Sequence, residues 1–255
     1  MIFRGICQTR EGTINSILKK ADLNFFQEIR YTHDIFYSGK VFELVNVAVI
    51  LEQKAGVPNS VIRSLGKLQS PERIQDFVSR MKWNYAEGAT ARSVVNALAH
   101  GKAQCIEGAL VAACALWLAG RPPLLMDMGA EGDADHVVAL FRRGRYWGAI
   151  SKSNSPYLRY RDPIYRSLRE VSISYFPQYV IHRRKTLRNY STAIDLTNVD
   201  PALWVTRKGF CSELIEVLDN ARHYDILPSD MPSQDLRPID PIVKQAARLR
   251  EHPRG

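Results

Sequence analysis

The chain is expected to be an α+β protein, because three patterns follow one another along it. Apolar residues recur at helical spacing between residues 12 and 99, a helix that is apolar on every side occupies 105–119, and a period-two hairpin follows. The first region resolves into helices near 12–20, 41–54, 59–67, 71–82 and 91–99. Pro58-Asn59-Ser60 and Ser70-Pro71-Glu72 supply cap-and-proline starts for two of them. In the helix at 105–119, Ile106, Ala109, Leu110, Val111, Ala112, Ala113, Ala115, Leu116 and Trp117 cover nearly every side, so it belongs in the interior.

Strands are expected near 123–128, 135–142 and 145–151. An Arg143-Gly144 turn pairs Arg142 with Arg145 and Phe141 with Tyr146, and carries His136 opposite Ser151. One face then presents His136, Val138 and Leu140 with Ser151, Ala149 and Trp147, while Val137, Ala139 and Phe141 point the other way. Gly129 to Asp133 reads as a mobile loop before the histidine strand. Pro163 to Phe176 reads as a helix, 192–196 as a strand and 212–220 as a helix. From Pro228 the chain carries Pro232, Pro238 and Pro241 and reads as an extended tail ending in a basic helix near 241–251. The organisation is a helical region at 1–88 packed on a core at 89–227, then the tail at 228–255.

Chemistry concentrates at Cys105. The short polar loop Gly101-Lys102-Ala103-Gln104 hands it to the first turn of the buried helix. Unpaired backbone N–H groups and the positive helix end there favour the thiolate, which is the reactive form. A thiol on a helix, a histidine starting a strand and a small polar residue on the neighbouring strand have the layout of nucleophile, base and orienting group.

Ala103-Gln104-Cys105-Ile106-Glu107-Gly108-Ala109-Leu110, the Gly120-Arg121-Pro122-Pro123 helix exit, His136-Val137-Val138-Ala139-Leu140-Phe141 and Tyr146-Trp147-Gly148-Ala149-Ile150 together resemble the core of the transglutaminase-like cysteine peptidase superfamily over residues 90 to 155. The resemblance implies a papain-like core, the cysteine helix packed on an antiparallel sheet, with Cys105 as nucleophile and His136 as base. Where that family usually ends the next strand in an aspartate, this chain has Ser151. A hydroxyl fixes the imidazole tautomer but cannot offset an imidazolium charge. Asn154, Asp162 and Asp195 are the other groups to be placed against the ring; Asp133 and Asp135 flank the histidine, with Asp135 directed to the opposite side.

An oxyanion site needs the Cys105 N–H and a second donor, for which Gln104, Trp83 and Tyr85 are the candidates. Glu107 faces away from Cys105 and serves the helix dipole, and Cys114 belongs to the core. The expected activity is acyl transfer from a protein, peptide or small amide through a thioester, resolved by water or an amine. Two other readings stand beside it. One is an arylamine N-acetyltransferase-like carrier, whose Arg-Gly-Gly before the cysteine is missing here. The other is a degenerate domain of the same kind that binds or scaffolds.

Composition narrows the classes. With 45% hydrophobic and 24% charged residues the chain is of the soluble globular type. Its start has no long apolar run, so neither signal peptide nor membrane span is expected. Cys7, Cys105, Cys114 and Cys211 are scattered, which reads as reduced thiols of a cytoplasmic protein without structural metal. No phosphate-loop or dinucleotide fingerprint calls for a cofactor. The net charge of +9 peaks at His182-Arg183-Arg184-Lys185-Thr186-Leu187-Arg188, but without a nucleic-acid motif so short a run reads as a solvated face. Arg142, Arg143 and Arg145 at the hairpin tip would suit an acidic partner, and the oligomeric state is left open.

Overall fold

The computed structural model describes residues 40–86 and 90–253, with side chains from residue 47 onward. The helix expected near 12–20, and Cys7, lie outside the described residues. Helices α1 (Lys40–Ala55), α2 (Asn59–Gly66) and α3 (Pro71–Arg80) come first. At α3 the start is built as its sequence dictates: Ser70 Oγ accepts the Arg73 N–H at 3.4 Å, and Pro71 takes the first helical position, where no N–H is needed. Strand β1 (Lys82–Trp83) follows, then α4 (Val94–His100), closed by Gly101 at φ 62°, and β2 (Lys102–Ala103), which pairs in parallel with β1. The chain then enters α5 (Cys105–Leu118).

Every residue of α5 except Cys105 and Trp117 is buried, which is what an all-round apolar helix requires. On one side it meets Leu51, Ile62, Leu65, Ile74 and Val78 from α1 to α3. On the other it meets the sheet, through Val137, Ala139, Phe141 and Ile150. Each large aliphatic buried in this way contributes roughly 1.5–3 kcal/mol.

The sheet is formed by β3 (Leu124–Met128), β4 (His136–Arg143), β5 (Tyr146–Ile150), the edge strand β6 (Arg161–Tyr165), and a strand from further along the chain, β10 (Ile194–Asp195). The fold is therefore mixed α+β, with a five-stranded antiparallel sheet in the order β10-β3-β4-β5-β6. The hairpin register differs from the expected one: Arg143 pairs with Tyr146 and Arg142 with Trp147, so the loop is Gly144-Arg145. Gly144 takes φ 59° and Arg145 has no positive φ, the pattern of a type II′ turn, which demands glycine at its first central position. Because each partner moves by two residues, the faces stay as expected. Val138, Leu140, Trp147 and Ala149 form a second core with helix α6 (Leu168–Tyr175), through Val171 and Tyr175.

The helix expected over 163–176 is corrected at its start. Residues 161–165 are β6, where Pro163 is tolerated because the strand lies at the sheet edge and its pairing with β5 is irregular between Arg161 and Tyr165. Only at Ser167, whose Oγ accepts the Glu170 N–H at 3.2 Å, does the helix begin. A small hairpin follows, β7 (Val180–Ile181) and β8 (Arg184–Lys185), turning on His182 and Arg183 at φ 47° and 78°. After it come β9 (Asn189–Ser191), β10 (Ile194–Asp195), α7 (Pro201–Trp204), α8 (Ser212–Asp219), β11 (His223–Asp225), paired with β9, and α9 (Pro241–Ala246). The basic helix of the tail is thus shorter than expected, and the tail lies against the core. Ile239 and Arg183 exchange hydrogen bonds at 3.0 Å, and the Glu251 N–H reaches the Asn154 carbonyl at 3.1 Å. Among the described residues no helix is long and apolar enough to cross a membrane.

Candidate active site

Cys105 is the first residue of α5, after Gln104 in an extended conformation. The turn is anchored by Glu107, whose fully buried carboxylate accepts the Gln104 N–H at 2.8 Å, the Arg92 N–H at 3.3 Å and the Asn84 amide at 3.4 Å. A carboxylate in a first turn complements the helix dipole, and here it also ties the segments before α4 and α5 together. Cys105 is half-buried, with Sγ 3.8 Å from the Asp135 carbonyl oxygen. Burial raises the thiol above its ordinary value, and the nearby Asp127 carboxylate adds to the rise. The N–H groups of Val137, Ile106 and Cys105 oppose this without prevailing. The expected resting thiolate is therefore corrected to a thiol, because desolvation outweighs the helix-end amides.

His136 opens β4 and is 3% exposed. Its ring points to the face away from α5, edge-on to Tyr175 at 5.8 Å and tilted on Tyr179 at 6.2 Å. Nε2 lies 2.8 Å from Ser151 Oγ, and that hydroxyl donates to the Leu158 carbonyl at 2.8 Å. With the hydroxyl proton spent on a carbonyl, Ser151 can only accept from the ring, so the hydrogen bonds assign the Nε2–H tautomer and leave Nδ1 as a lone pair. Ser151 is itself clamped by Gln75 of α3, which accepts its N–H and donates to its carbonyl, both at 2.9 Å. Burial first, and then the charge of Arg161, depress His136 to about 4. Arg161 stacks on the far ring, 3.9 Å from the Tyr175 centroid. Cys105 and His136 thus rest as a neutral pair, and among the described residues no hydrogen bond joins the sulfur to the ring.

The other sequence candidates are placed elsewhere. Asn154 is spent on the tail: its amide donates to the Tyr85 hydroxyl at 2.8 Å and the His252 carbonyl at 3.0 Å, and its Oδ1 accepts the His252 N–H at 2.8 Å. Asp162 is exposed on β6, and Asp195 accepts the Thr197 N–H at 2.9 Å, capping a short turn. Gln104 donates its amide to the Asn84 carbonyl at 3.1 Å. Trp83 pairs with Ala103 across β1 and β2 and lines a cavity of about 350 Å³ with Tyr85, Glu251 and His252. Of the oxyanion donors considered, the Cys105 N–H is the one directed at the sulfur's surroundings. The 129–133 loop, expected to be mobile, is pinned, with Glu131 N–H on the Thr186 carbonyl at 2.9 Å and Asp133 accepting the Thr186 hydroxyl at 2.9 Å.

Sequence reasoning missed Gln75, Tyr175, Tyr179 and Arg161 around His136. It also missed a histidine–carboxylate contact, His223 Nε2 to Asp127 Oδ2 at 3.2 Å. No local signal marks these residues, since each reaches the site from a distant part of the chain. Among the described residues no group of three or more His, Cys, Asp or Glu side chains is arranged to hold a metal ion. No protein-family model matches the chain, and no curated protein matches it in sequence.

Proposed function

We propose that the protein is a cysteine-dependent acyl-transfer enzyme with a papain-like, transglutaminase-like core, acting on a carboxamide or peptide bond of a protein, peptide or small amide. One observation carries this reading: a half-buried thiol at the start of α5 lies 3.8 Å from the Asp135 carbonyl oxygen, one residue before His136, whose ring rests on the face away from α5 and is held by Ser151 with Nδ1 as a lone pair. For catalysis the His136 ring has to turn from its resting face toward the sulfur, where its free nitrogen accepts the thiol proton as Sγ attacks the carbonyl carbon, so the base acts within the transition state and not through a resting ion pair. The Cys105 N–H meets the developing oxyanion. The imidazolium then returns its proton to the leaving amine, giving a thioester that water or an amine resolves. The free thiols Cys105, Cys114 and Cys211 support a reducing, cytoplasmic setting.

The test uses an activated acyl ester as donor, with intact-mass measurement of the protein. The expected result is one hydroxylamine-labile acyl group on Cys105 that forms at least tenfold more slowly in His136→Ala and not at all in Cys105→Ala. Acylation of Cys105 at the same rate with and without His136 would overturn the reading.

The neutral pair and the serine in place of a carboxylate favour one second reading, a binding module that keeps the site without turnover. A partner retained equally by wild type, Cys105→Ala and His136→Ala, together with no acyl-enzyme, would select it.

A further inference from the structure

Asp127 of β3 pairs with Val137 of β4, the residue whose N–H is turned to the Cys105 sulfur. Paired antiparallel residues share a face, so Asp127 projects to the α5 side of the sheet with Leu125 and Val137, while His136 projects to the other. Its backbone is fixed from the opposite side, where the Asp127 N–H donates to Ser191 Oγ at 2.9 Å. Both ring nitrogens of its partner His223 face acceptors. Nδ1 lies 2.8 Å from the Ala221 carbonyl oxygen, and Nε2 lies 3.2 Å from the Asp127 carboxylate. A carbonyl only accepts, so Nδ1 carries a proton, and a proton held between Nε2 and Oδ2 makes the pair neutral where the carboxylate without it carries a negative charge. A cavity of about 360 Å³, lined by Asp127, Asp135, Asn189 and His223 among others, gives the pair access to water.

We propose that Asp127 and His223 form a second proton-holding pair of the Cys105 site, positioning residues that set the ionisation of the thiol from the helix side of the sheet. The inference rests on the acyl-transfer reading only in taking Cys105 as the nucleophile. The groups that face Asp127 are His223 from β11, Asp135 from the loop before β4, Cys105 from α5 and the Tyr179 hydroxyl from the segment after α6. Glu131, Asp219 and Arg188 stand around the cavity, with Arg188 bonded to Glu131 at 2.7 Å. Burial pushes Asp127 up to about 6, and its hydrogen bond from His223 draws it down. Above that pH the carboxylate is charged and opposes the thiolate; below it the opposition is lifted.

The experiment is the rate of iodoacetamide alkylation at Cys105 from pH 5 to 9, read by mass spectrometry, with buried Cys114 as the internal monitor of folding. Wild type is expected to show a shoulder near pH 6 on the rising thiolate curve. Asp127→Asn should remove the shoulder and raise the rate at pH 7.5 about three- to tenfold, as a nearby like charge is lost. His223→Ala should move the shoulder to higher pH. Should Asp127→Asn leave Cys114 unprotected, the His223→Ala profile decides in its place. Profiles that superimpose on wild type overturn the proposal. Alkylation needs no turnover, so an acyl-enzyme that forms normally beside an unchanged profile refutes this inference alone, and a shifted profile without any acyl-enzyme refutes only the acyl-transfer reading.

Discussion

A serine hydroxyl that accepts the His136 Nε2–H and passes its own proton to the Leu158 carbonyl holds the imidazole in one tautomer while offering it no charge. Two expectations follow at this scale. Replacing the hydroxyl by a carboxylate, Ser151→Asp, should raise the His136 pKa from about 4 toward the ordinary range and speed Cys105 alkylation at pH 7, which a histidine NMR titration and the labelling rate would measure together. His136 also links stability to pH. Its folded value of about 4 lies below its ordinary 6.5, so the unfolded chain takes up the proton first as pH falls. Stability should be full above pH 6.5 and fall by about 3 kcal/mol in all by pH 4. Thermal melts of wild type and His136→Gln across pH 4–7 would show the steeper loss in wild type. At this scale Cys105, His136 and Ser151 could be singled out in the sequence as candidates, because each stands at an element boundary marked by its neighbours. Asp127 and His223 meet across the fold from chain positions 96 apart, and no local pattern joins them.

Among the elements, α5 runs so close to α3 and to the segment after β5 that one residue has to be glycine. A Cβ on Gly108 would lie 2.3 Å from the Lys152 Cβ and 3.1 Å from the Val78 Cγ1, the first an atom next to the backbone that cannot swing away. Gly108→Ala should therefore cost about 1–3 kcal/mol despite the better helix propensity of alanine, and a calorimetric melting temperature lowered by several degrees would register it. An unchanged melting temperature would mean that the strand end can shift. Elements with strong periodicity, α5 and the β4–β5 hairpin, were legible in the sequence. The hairpin erred only in which central position its glycine fills. Edge strand β6 was hidden by Pro163, which reads as a helix start until the neighbouring strand is known. The two-residue strands β7 and β8 are too short to carry a period.

Across the whole molecule, the chain after Pro228 returns to the core and closes over a buried cation. Lys152, the residue after Ser151, has a fully buried side chain whose Nζ donates to the Ser79 and Met81 carbonyls at 3.1 and 2.5 Å and stands 3.8 Å from Glu251. Burial lowers its pKa to about 8, and Glu251, held in turn by Arg159 at 2.5 Å, works in the other direction. Removing residues 241–255 should uncover this amine. Acetylation of Lys152 by an amine-reactive reagent, mapped by peptide mass, is expected to rise at least tenfold in the truncated chain, and equal labelling would show that the tail does not cover it. The composition of residues 228–255 pointed to an extended segment, but composition does not say what such a segment covers.

The neutral state of Cys105 has a consequence for oxidative chemistry. Peroxides convert thiolates to sulfenic acids and react poorly with protonated thiols. A thiol whose proton is held in place by burial, with the Asp127 carboxylate reinforcing it, is shielded from that damage; under the proposed acyl-transfer reading it is open to it only during the short interval in which its proton has been transferred.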